Sequence, residues 1–245
     1  MIIGLGATFG LAWTAALAPQ KHRAGKIDHG LWVLFGALLG GRLLHAGLAW
    51  SYYSERLLDI PQIWLGGLSG VGALAGGLLA QGLLAFLTRQ NLGALADGFT
   101  PLAAALVTSA WLACWADGAV YGAETNAWWG LPARDEWGEL LRRQPVQMTA
   151  AGLTLALFWF LDRRRNDLKQ PGQKASLALF GLGLLILATS FWRADVSQVW
   201  LGLRPEAWAG IGFTLLSGVC YLYTYLSRRN SRKAAAAVEI LQNTS

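Results

Sequence analysis

The chain has 245 residues, of which 54% are hydrophobic and 14% charged, with a formal net charge of +6 and a mean hydropathy of +0.38. This composition excludes an ordinary soluble domain and a disordered chain, and it predicts an all-α, polytopic membrane protein. The basic residues lie in short loops between apolar segments, so they indicate membrane topology rather than nucleic-acid binding.

Seven apolar segments approach the roughly 20 residues that a membrane-spanning helix needs. The predicted spans are 1–19, 30–50, 64–88, 99–116, 146–161, 175–192 and 207–227. The segments that follow the odd-numbered spans carry 13 Lys or Arg residues, and the other loops carry six. The positive-inside rule therefore predicts an external N-terminus and a cytoplasmic C-terminus. Residues 1–232 are predicted to form one membrane domain, followed by a cytoplasmic tail at 233–245.

The second span contains one charged residue, Arg42. It stands eight residues before Trp50, which places it about 12 Å below the outer boundary at 1.5 Å per residue. A charge at the bilayer centre costs roughly 2.5–3.5 kcal/mol on insertion scales, so an intramembrane arginine is a functional candidate. His45 lies on the same helix face, and the pair could bind a lipid phosphate. Alternatively, Arg42 extends to the surface or donates to backbone carbonyls of a broken helix.

Small residues dominate the third span, which allows helix backbones to approach closely in lipid. Its first residues, 66–70, can also leave amides free for an anion. The external loops are rich in tryptophan, which is typical of segments at the level of the lipid head groups. Cys114 and Cys220 lie in apolar segments without metal-ligand spacing, so no metal, redox centre or other cofactor is predicted.

Short motifs follow one another in order along most of the chain. They are GGR at 40–42, PQIWLGGLS at 61–69, DGFTP at 97–101, CWADGAVYG at 114–122, WG at 129–130, RQPVQ at 143–147 and FWRAD at 191–195. In order and spacing they resemble the bacterial prolipoprotein diacylglyceryl transferases. The resemblance implies seven spans, an external N-terminus, and transfer of diacylglyceryl from phosphatidylglycerol to the lipobox cysteine of a prelipoprotein.

The resemblance also implies a set of site residues. Arg42 and Arg193 are predicted to hold the lipid phosphate, and His45 is the candidate base. The other retained motif residues are Gly66, Gly67, Ser69, Gly118, Tyr121, Gly122, Pro145, Gln147 and Asp195. The implied partners are phosphatidylglycerol or a similar anionic lipid and a lipobox segment, and the implied location is the bacterial cytoplasmic membrane.

Several positions depart from the family's reactive residues. The family has a histidine that helps to activate the acceptor thiol, arginines that contact the lipid phosphate, and glutamates. The aligned residues here are Val71, Trp111, Ala119, Thr149, Ala150, Ile186 and Ser190. A thiol needs a base or a lowered pKa to attack at neutral pH, and a leaving phosphate oxygen needs nearby positive charge.

Two functions therefore remain open. The first is a divergent transferase in which Arg42, Arg193 and His45 do the chemistry. The second is a non-catalytic relative that binds phosphatidylglycerol or a lipoprotein segment. A transporter or channel is disfavoured, because no inverted repeat and no midplane acidic partner for Arg42 are visible.

Overall fold

The computed structural model describes residues 1–135 and 137–243 of the chain, with side chains up to residue 226 except that of Leu65. Residues 244 and 245 of the predicted tail lie outside the described residues. Among those described, the helices are α1 (Ile2–Ala16), α2 (Arg23–Leu48), α3 (Trp50–Tyr53), α4 (Gly70–Thr88), α5 (Leu92–Gly98), α6 (Thr100–Ala116), α7 (Val146–Arg163), α8 (Gln173–Trp192) and α9 (Pro205–Asn243). Short 3-10 turns occur at Gln20–His22, Leu57–Asp59 and Ile63–Leu65.

The seven longer helices overlap the seven predicted spans. Four of them, α2, α4, α8 and the first part of α9, are long and apolar enough to cross a membrane. A fifth results if α5 and α6, which meet at an angle of 53°, are counted as one broken span, and α1 is apolar but shorter. The prediction of an α-helical membrane protein is thus confirmed, while the number of spans and the orientation stay predictions.

The helices pack in an arc whose order is α4, α2, α1, α6, α7, α8 and α9. The short helix α5 contacts α4 at one end of the arc and α8 near the other. Large apolar side chains such as Leu79 and Phe86 are 74% and 80% exposed, as expected of helix faces that meet lipid rather than water. The arc is therefore bridged by α5 at the end of the bundle where α4 finishes and α8 begins.

Glycines bring α2 and α4 into close contact, as the third span's composition predicted. A Cβ built on Gly40 would lie 2.7 Å from the Cα of Gly76, and one built on Gly76 would lie 2.8 Å from the Cα of Gly40. Real Cβ atoms do not approach so closely, so only glycine permits this backbone contact. The contact fixes α4 against the part of α2 that carries Arg42.

Asp97 connects the two halves of the chain. Its Oδ2 accepts a hydrogen bond from the amide of Gly172 at 2.7 Å, and its Oδ1 accepts one from the amide of Ala175 at 2.7 Å. The first amides of a helix have no partner within the helix, so this carboxylate satisfies two groups at the start of α8. The predicted DGFTP motif thereby acquires a structural explanation for its aspartate.

A small hairpin departs from the all-helical prediction. Strands β1 (Leu131–Arg134) and β2 (Leu140–Arg143) pair antiparallel, with Leu131 opposite Arg143 and Arg134 opposite Leu140. Pro132 is compatible with a strand that pairs on one side only. The hairpin lies between α6 and α7, at the end of the bundle where the retained motifs gather.

Candidate functional site

Two polar clusters lie at the end of the bundle where α2, α6 and α8 finish and α4, α7 and α9 begin. The anchored loop comprises residues 54–69, between α3 and α4. The hairpin cap comprises residues 117–145 and 193–204. Within the described residues, one direct link between these regions and α2 is the hydrogen bond from Gln198 Nε2 to the carbonyl of Leu48, at 3.1 Å.

Arg42 holds the anchored loop. Its side chain is only 4% exposed, and its three guanidinium nitrogens donate to five backbone carbonyls. The distances are 2.7 Å to Ile60, 2.5 Å to Gly66, 2.9 Å to Gly67, 2.7 Å to Asp59 and 3.3 Å to Gln62. Because a guanidinium has five N–H donors, every donor of Arg42 has an acceptor in the protein. Arg42 thus donates to backbone carbonyls, which was the alternative to phosphate binding in the sequence analysis. Phosphate binding by Arg42 stays a prediction.

Gly66 and Gly67 bend the chain around Arg42. Their φ angles are +86° and +76°, a region that glycine adopts without the steric cost that other residues incur. Ser69 then begins α4, since its Oγ accepts from the amide of Gly72 at 3.2 Å. The first six residues of the predicted third span therefore form a turn that presents carbonyls to Arg42, and the helix starts at Gly70.

His45 lies one helical turn beyond Arg42 and touches the same turn of the loop. A Cβ built on Gly67 would lie 2.5 Å from His45 Nε2, and the imidazole meets the Tyr53 ring edge-on with 6.0 Å between centroids. The same tyrosine ring lies 5.3 Å from Cζ of Arg42. Among the described residues the imidazole makes no hydrogen bond, and its Nε2 lies against Gly67.

Arg143 organises the first half of the hairpin cap. Its Nη2 lies 3.1 Å from Asp135 and 3.6 Å from Glu124, and its Cζ lies 4.5 Å from the Tyr121 ring centroid. Asp135 also accepts from the amides of residues 137 and 139. The Nε of Arg143 is buried and has no hydrogen-bond partner among the described residues. The cap therefore retains a buried guanidinium donor that has no acceptor among the described residues.

Arg193 belongs to a chain of alternating charges in the other half of the cap. It donates to Asp195 at 2.8 and 2.5 Å, while Arg204 donates to the same carboxylate at 3.1 Å. Glu206 lies 3.5 Å from Arg193. The side chains of Arg193 and Asp195 are only 12% and 13% exposed. Two arginines and two carboxylates thus neutralise one another.

The same contacts shift two pKa values. Burial acts to lower the pKa of Arg193, but hydrogen bonding to Asp195 and the charges of Asp195 and Glu206 outweigh it and raise that pKa above its usual value. Burial acts to raise the pKa of Asp195, yet Arg193 and Arg204 hold it below its usual range. Both groups are therefore ionised at neutral pH.

The retained motif residues in the cap hold its segments together. Gly118 has a φ of +68°, and a Cβ there would lie 2.8 Å from the carbonyl oxygen of Asp135. Gln147 is 1% exposed and donates to the carbonyl of Ala119 at 2.9 Å.

Pro145 precedes the first residue of α7. Gly122 forms a β-bridge with Arg193, and the Tyr121 carbonyl accepts from the amide of Ala194 at 2.8 Å.

The two predicted phosphate-binding arginines lie in different clusters. Arg42 donates to the carbonyls of the anchored loop, Arg193 pairs with the carboxylates of the cap, and no hydrogen bond or ion pair among the described residues joins them. No group of three or more metal-ligating side chains occurs in the described part of the chain. The structure therefore places Arg42 with His45, and Arg193 with Asp195.

Three charged residues in or beside the cap, which take part in its ion pairs, were not among the predicted site residues. Arg143 occurs in the RQPVQ motif that the sequence analysis identified, but it received no role there. Arg204 and Glu206 flank Pro205, the first residue of α9, and no motif indicated them. A search for charged residues beside the ends of the predicted helices would have found all three.

The helices and the two polar clusters define an α-helical membrane protein with a polar site at one end of its bundle. Residues 1–223 match the family described as prolipoprotein diacylglyceryl transferase. The chain belongs to this family.

Named relatives agree with the family match. The phosphatidylglycerol--prolipoprotein diacylglyceryl transferase of Bordetella parapertussis is 27% identical over 199 residues, which cover 78% of this chain and 74% of the relative. The proteins of the same name from Brucella ovis and Brucella suis are each 30% identical over 217 residues, which cover 85% of this chain and 74% of the relative.

Proposed function

We propose that the protein binds phosphatidylglycerol and the lipobox segment of a prelipoprotein at the end of the bundle that carries the anchored loop and the hairpin cap, and transfers the diacylglyceryl group to the lipobox cysteine. The observation that carries the proposal is the convergence of the retained motifs: GGR and PQIWLGGLS build the anchored loop, and CWADGAVYG, RQPVQ and FWRAD build the cap. Family membership over residues 1–223 and the names of the relatives support the choice of donor and acceptor.

The same proposal includes a topology. Seven spans within residues 1–232 would place the anchored loop and the cap outside the bacterial cytoplasmic membrane, with the segment from 233 in the cytoplasm. The distribution of Lys and Arg supports this orientation. Prelipoproteins and the lipid donor would then both reach the site from the outer face.

The transfer requires that a proton leave the thiol and that negative charge move onto the leaving phosphate. His45 accepts the thiol proton, and the thiolate attacks the glyceryl carbon that is bonded to the phosphate oxygen. The C–S bond forms as that C–O bond breaks, and the electron pair leaves with the glycerol phosphate. Arg193 and Arg42 would have to exchange a protein acceptor for the phosphate in order to stabilise the developing charge. Arg143 Nε has no acceptor among the described residues, but it is buried and would first have to become accessible.

Binding without transfer is the second candidate. All five N–H donors of Arg42 are hydrogen-bonded to backbone carbonyls. In addition, several positions that are reactive in the family hold other side chains here. Val71 and Trp111 carry no charge, and the hydroxyl of Ser190 donates to the carbonyl of Leu187 within α8 at 2.7 Å. A protein with this arrangement could retain the lipid or the lipobox segment and form no product.

A transfer assay distinguishes the two candidates. Purified protein is incubated with phosphatidylglycerol and a lipobox peptide that has a single cysteine, and the peptide mass is measured. Transfer predicts a gain of one diacylglyceryl group, slowed by about 10²-fold or more in His45→Ala, because a general base contributes about 10²–10⁴-fold. His29→Ala, at the other end of the bundle, is the matched control.

Two outcomes of the transfer assay would contradict the proposed mechanism or the proposed function. Product formation at an unaltered rate in His45→Ala would remove His45 from the mechanism. No product from the folded, lipid-retaining wild-type protein, beside an active family member, would establish the binding function in place of transfer.

A further inference from the structure

A cavity of about 320 Å³ lies at the opposite end of the bundle from the site described above. It is open to its surroundings on one side and is lined by the end of α1, the start of α2, the break between α5 and α6, and the start of α8. Its polar lining consists of Thr14, His22, Lys26, Asp97, Thr100 and Lys174. Neither polar cluster of the proposed transfer site contributes to this cavity, so the transfer function does not account for it.

Within the described part of the chain, Lys26 is the lysine of this cavity that has no anionic partner. Among the described residues no carboxylate lies within ion-pair distance of its ammonium, which instead stands 4.9 Å from the Phe99 ring centroid. A Cβ built on Gly98 would lie 2.7 Å from Lys26 Nζ, so the ammonium rests against the helix break. By contrast, Lys174 lies 3.3 Å from Asp162.

The aspartate of the cavity forms no ion pair with Lys26 in the part of the chain that the structure describes. Both carboxylate oxygens of Asp97 accept amide hydrogen bonds at 2.7 Å from the start of α8, and Thr100 Oγ1 donates to the carbonyl of residue 97 at 2.9 Å. These polar groups are therefore already paired within the protein. Lys26 is only half-buried, but a cation over an aromatic ring still gains from an anion on its free side.

Thr14 supplies a second polar group that lacks a partner. Its side chain is 2% exposed, and its Oγ1 is buried without a hydrogen-bond partner among the described residues. Buried hydroxyl groups in folded proteins are nearly always paired, and an unpaired one requires an explanation. Thr14 lines the cavity, but its Oγ1 is buried, so its hydroxyl would donate to a ligand oxygen only after its side chain rotates toward the cavity.

The surroundings favour an anion. The three connections at this end of the bundle, residues 17–29, 89–99 and 162–174, contain nine Lys or Arg residues and four Asp residues, hence a net charge of +5. Such a field raises the local concentration of anions. We propose that this cavity binds the phosphate group of an anionic ligand, with the Lys26 ammonium and the Thr14 hydroxyl as donors. The phosphate belongs either to the head group of an anionic lipid or to free inorganic phosphate.

Site-specific protection of lysine tests the proposal. The full chain is placed in nanodiscs of phosphatidylcholine or of phosphatidylglycerol, treated with an amine-acylating reagent, and the acylation rate of each lysine is measured by peptide mass spectrometry. We expect Lys26 to react at least about fivefold more slowly in phosphatidylglycerol, since protection follows one plus the ratio of ligand concentration to Kd. Exposed Lys21 and Lys169 lie on the same basic end and report the general effect of an anionic membrane.

Further arms identify the source of the phosphate. Protection of Lys26 by about 10 mM inorganic phosphate in phosphatidylcholine discs would assign the cavity to free phosphate. Thr14→Val should reduce the protection severalfold. Thr108→Val removes another buried hydroxyl without a partner, outside the cavity lining, and should leave the protection intact.

If neither phosphatidylglycerol nor inorganic phosphate slows Lys26 more than Lys21, the proposal is wrong. The readout is independent of diacylglyceryl transfer, so a protein that forms no product still tests it.

Discussion

The anchored loop and the hairpin cap, at the same end of the bundle, each surround a buried arginine, but they compensate its charge in different ways. In the anchored loop, Arg42 meets five backbone carbonyls and, within the described residues, no carboxylate. In the hairpin cap, Arg193 and Arg204 share Asp195. Because its acceptors are backbone carbonyls, Arg42 determines the path of the chain in the loop. These carbonyls do not titrate, so the contacts do not depend on the protonation of a partner. The cap's charged side chains determine one another's positions, and their pairing depends on pH.

The largest predicted effect comes from removing the guanidinium of the anchored loop. Arg42→Met leaves five carbonyls without a donor, at about 1–3 kcal/mol for each one that stays buried and unpaired. Allowing for water that reaches some of them, we expect a loss of about 3–5 kcal/mol in the free energy of unfolding, a range typical of severe single substitutions. Thermal and denaturant unfolding in detergent measure it.

A matched control lies in the same loop. Arg56 is exposed, and its guanidinium rests 4.6 Å from the Tyr52 ring centroid. Arg56→Met should cost less than about 1 kcal/mol, as is usual for exposed cation–π contacts. Equal stabilities for Arg42→Met and Arg56→Met would show that the carbonyl contacts do not hold the loop.

An intermediate effect is expected where the loop turns. Alanine at either Gly66 or Gly67 is forced into a positive φ, at a cost of about 1–3 kcal/mol. At Gly67 the new Cβ would also meet His45 Nε2 at 2.5 Å and Arg42 Nη1 at 2.8 Å, whereas at Gly66 nothing lies within 4 Å. Gly67→Ala should therefore destabilise more than Gly66→Ala in the same unfolding measurement. Equal losses would mean that the loop relaxes away from His45.

The smallest predicted effect concerns acid. Because the folded pKa of Asp195 is held below its unfolded value of about 3.9, its stabilising contribution is complete above that value. The contribution is lost as the pH falls through the folded pKa. The cap should therefore loosen in acid before the anchored loop, whose carbonyl partners do not titrate.

Proteolysis by pepsin at successively lower pH locates the loosening. Cleavage in the cap should precede cleavage in the anchored loop, and Asp195→Asn should be cut in the cap already at the highest pH at which pepsin acts. Earlier cleavage in the anchored loop would contradict the prediction that the cap, rather than the loop, depends on a titrating carboxylate.

Apolar segment length was sufficient to predict where the seven longer helices lie. It could not locate local interruptions. The third predicted span begins with a turn because Gly66 and Gly67 adopt positive φ, and the fourth is preceded by a bend at Phe99 between α5 and α6. The hairpin was missed because each strand has four residues and no alternation of polar and apolar side chains.

The roles of the candidate site residues stay predictions, but their sequence contexts explain which of them were noticed. An arginine in an apolar segment is conspicuous, so Arg42 was found. Its acceptors are backbone carbonyls 17 to 25 residues further along the chain, and every residue type supplies such a carbonyl. No side-chain pattern can therefore separate a structural arginine from a phosphate-binding one. Arg193 and Asp195, two residues apart, were visible as a motif, whereas the approach of Arg204 required the fold.

The hydrogen bonds of Asp97 have a mechanical consequence. They fix the start of α8 to the segment between α4 and α6, across 75 to 78 residues of chain. The 20 residues of α8 extend about 30 Å from that point at 1.5 Å per residue. Any rotation of α8 about the carboxylate displaces its first turn very little, while a rotation of about 5° moves its far end by roughly 2.5 Å. Asp97 therefore fixes one end of α8, and the ion pairs of Arg193 with Asp195 and Glu206 at the other end are the contacts that a tilt of the helix would have to change.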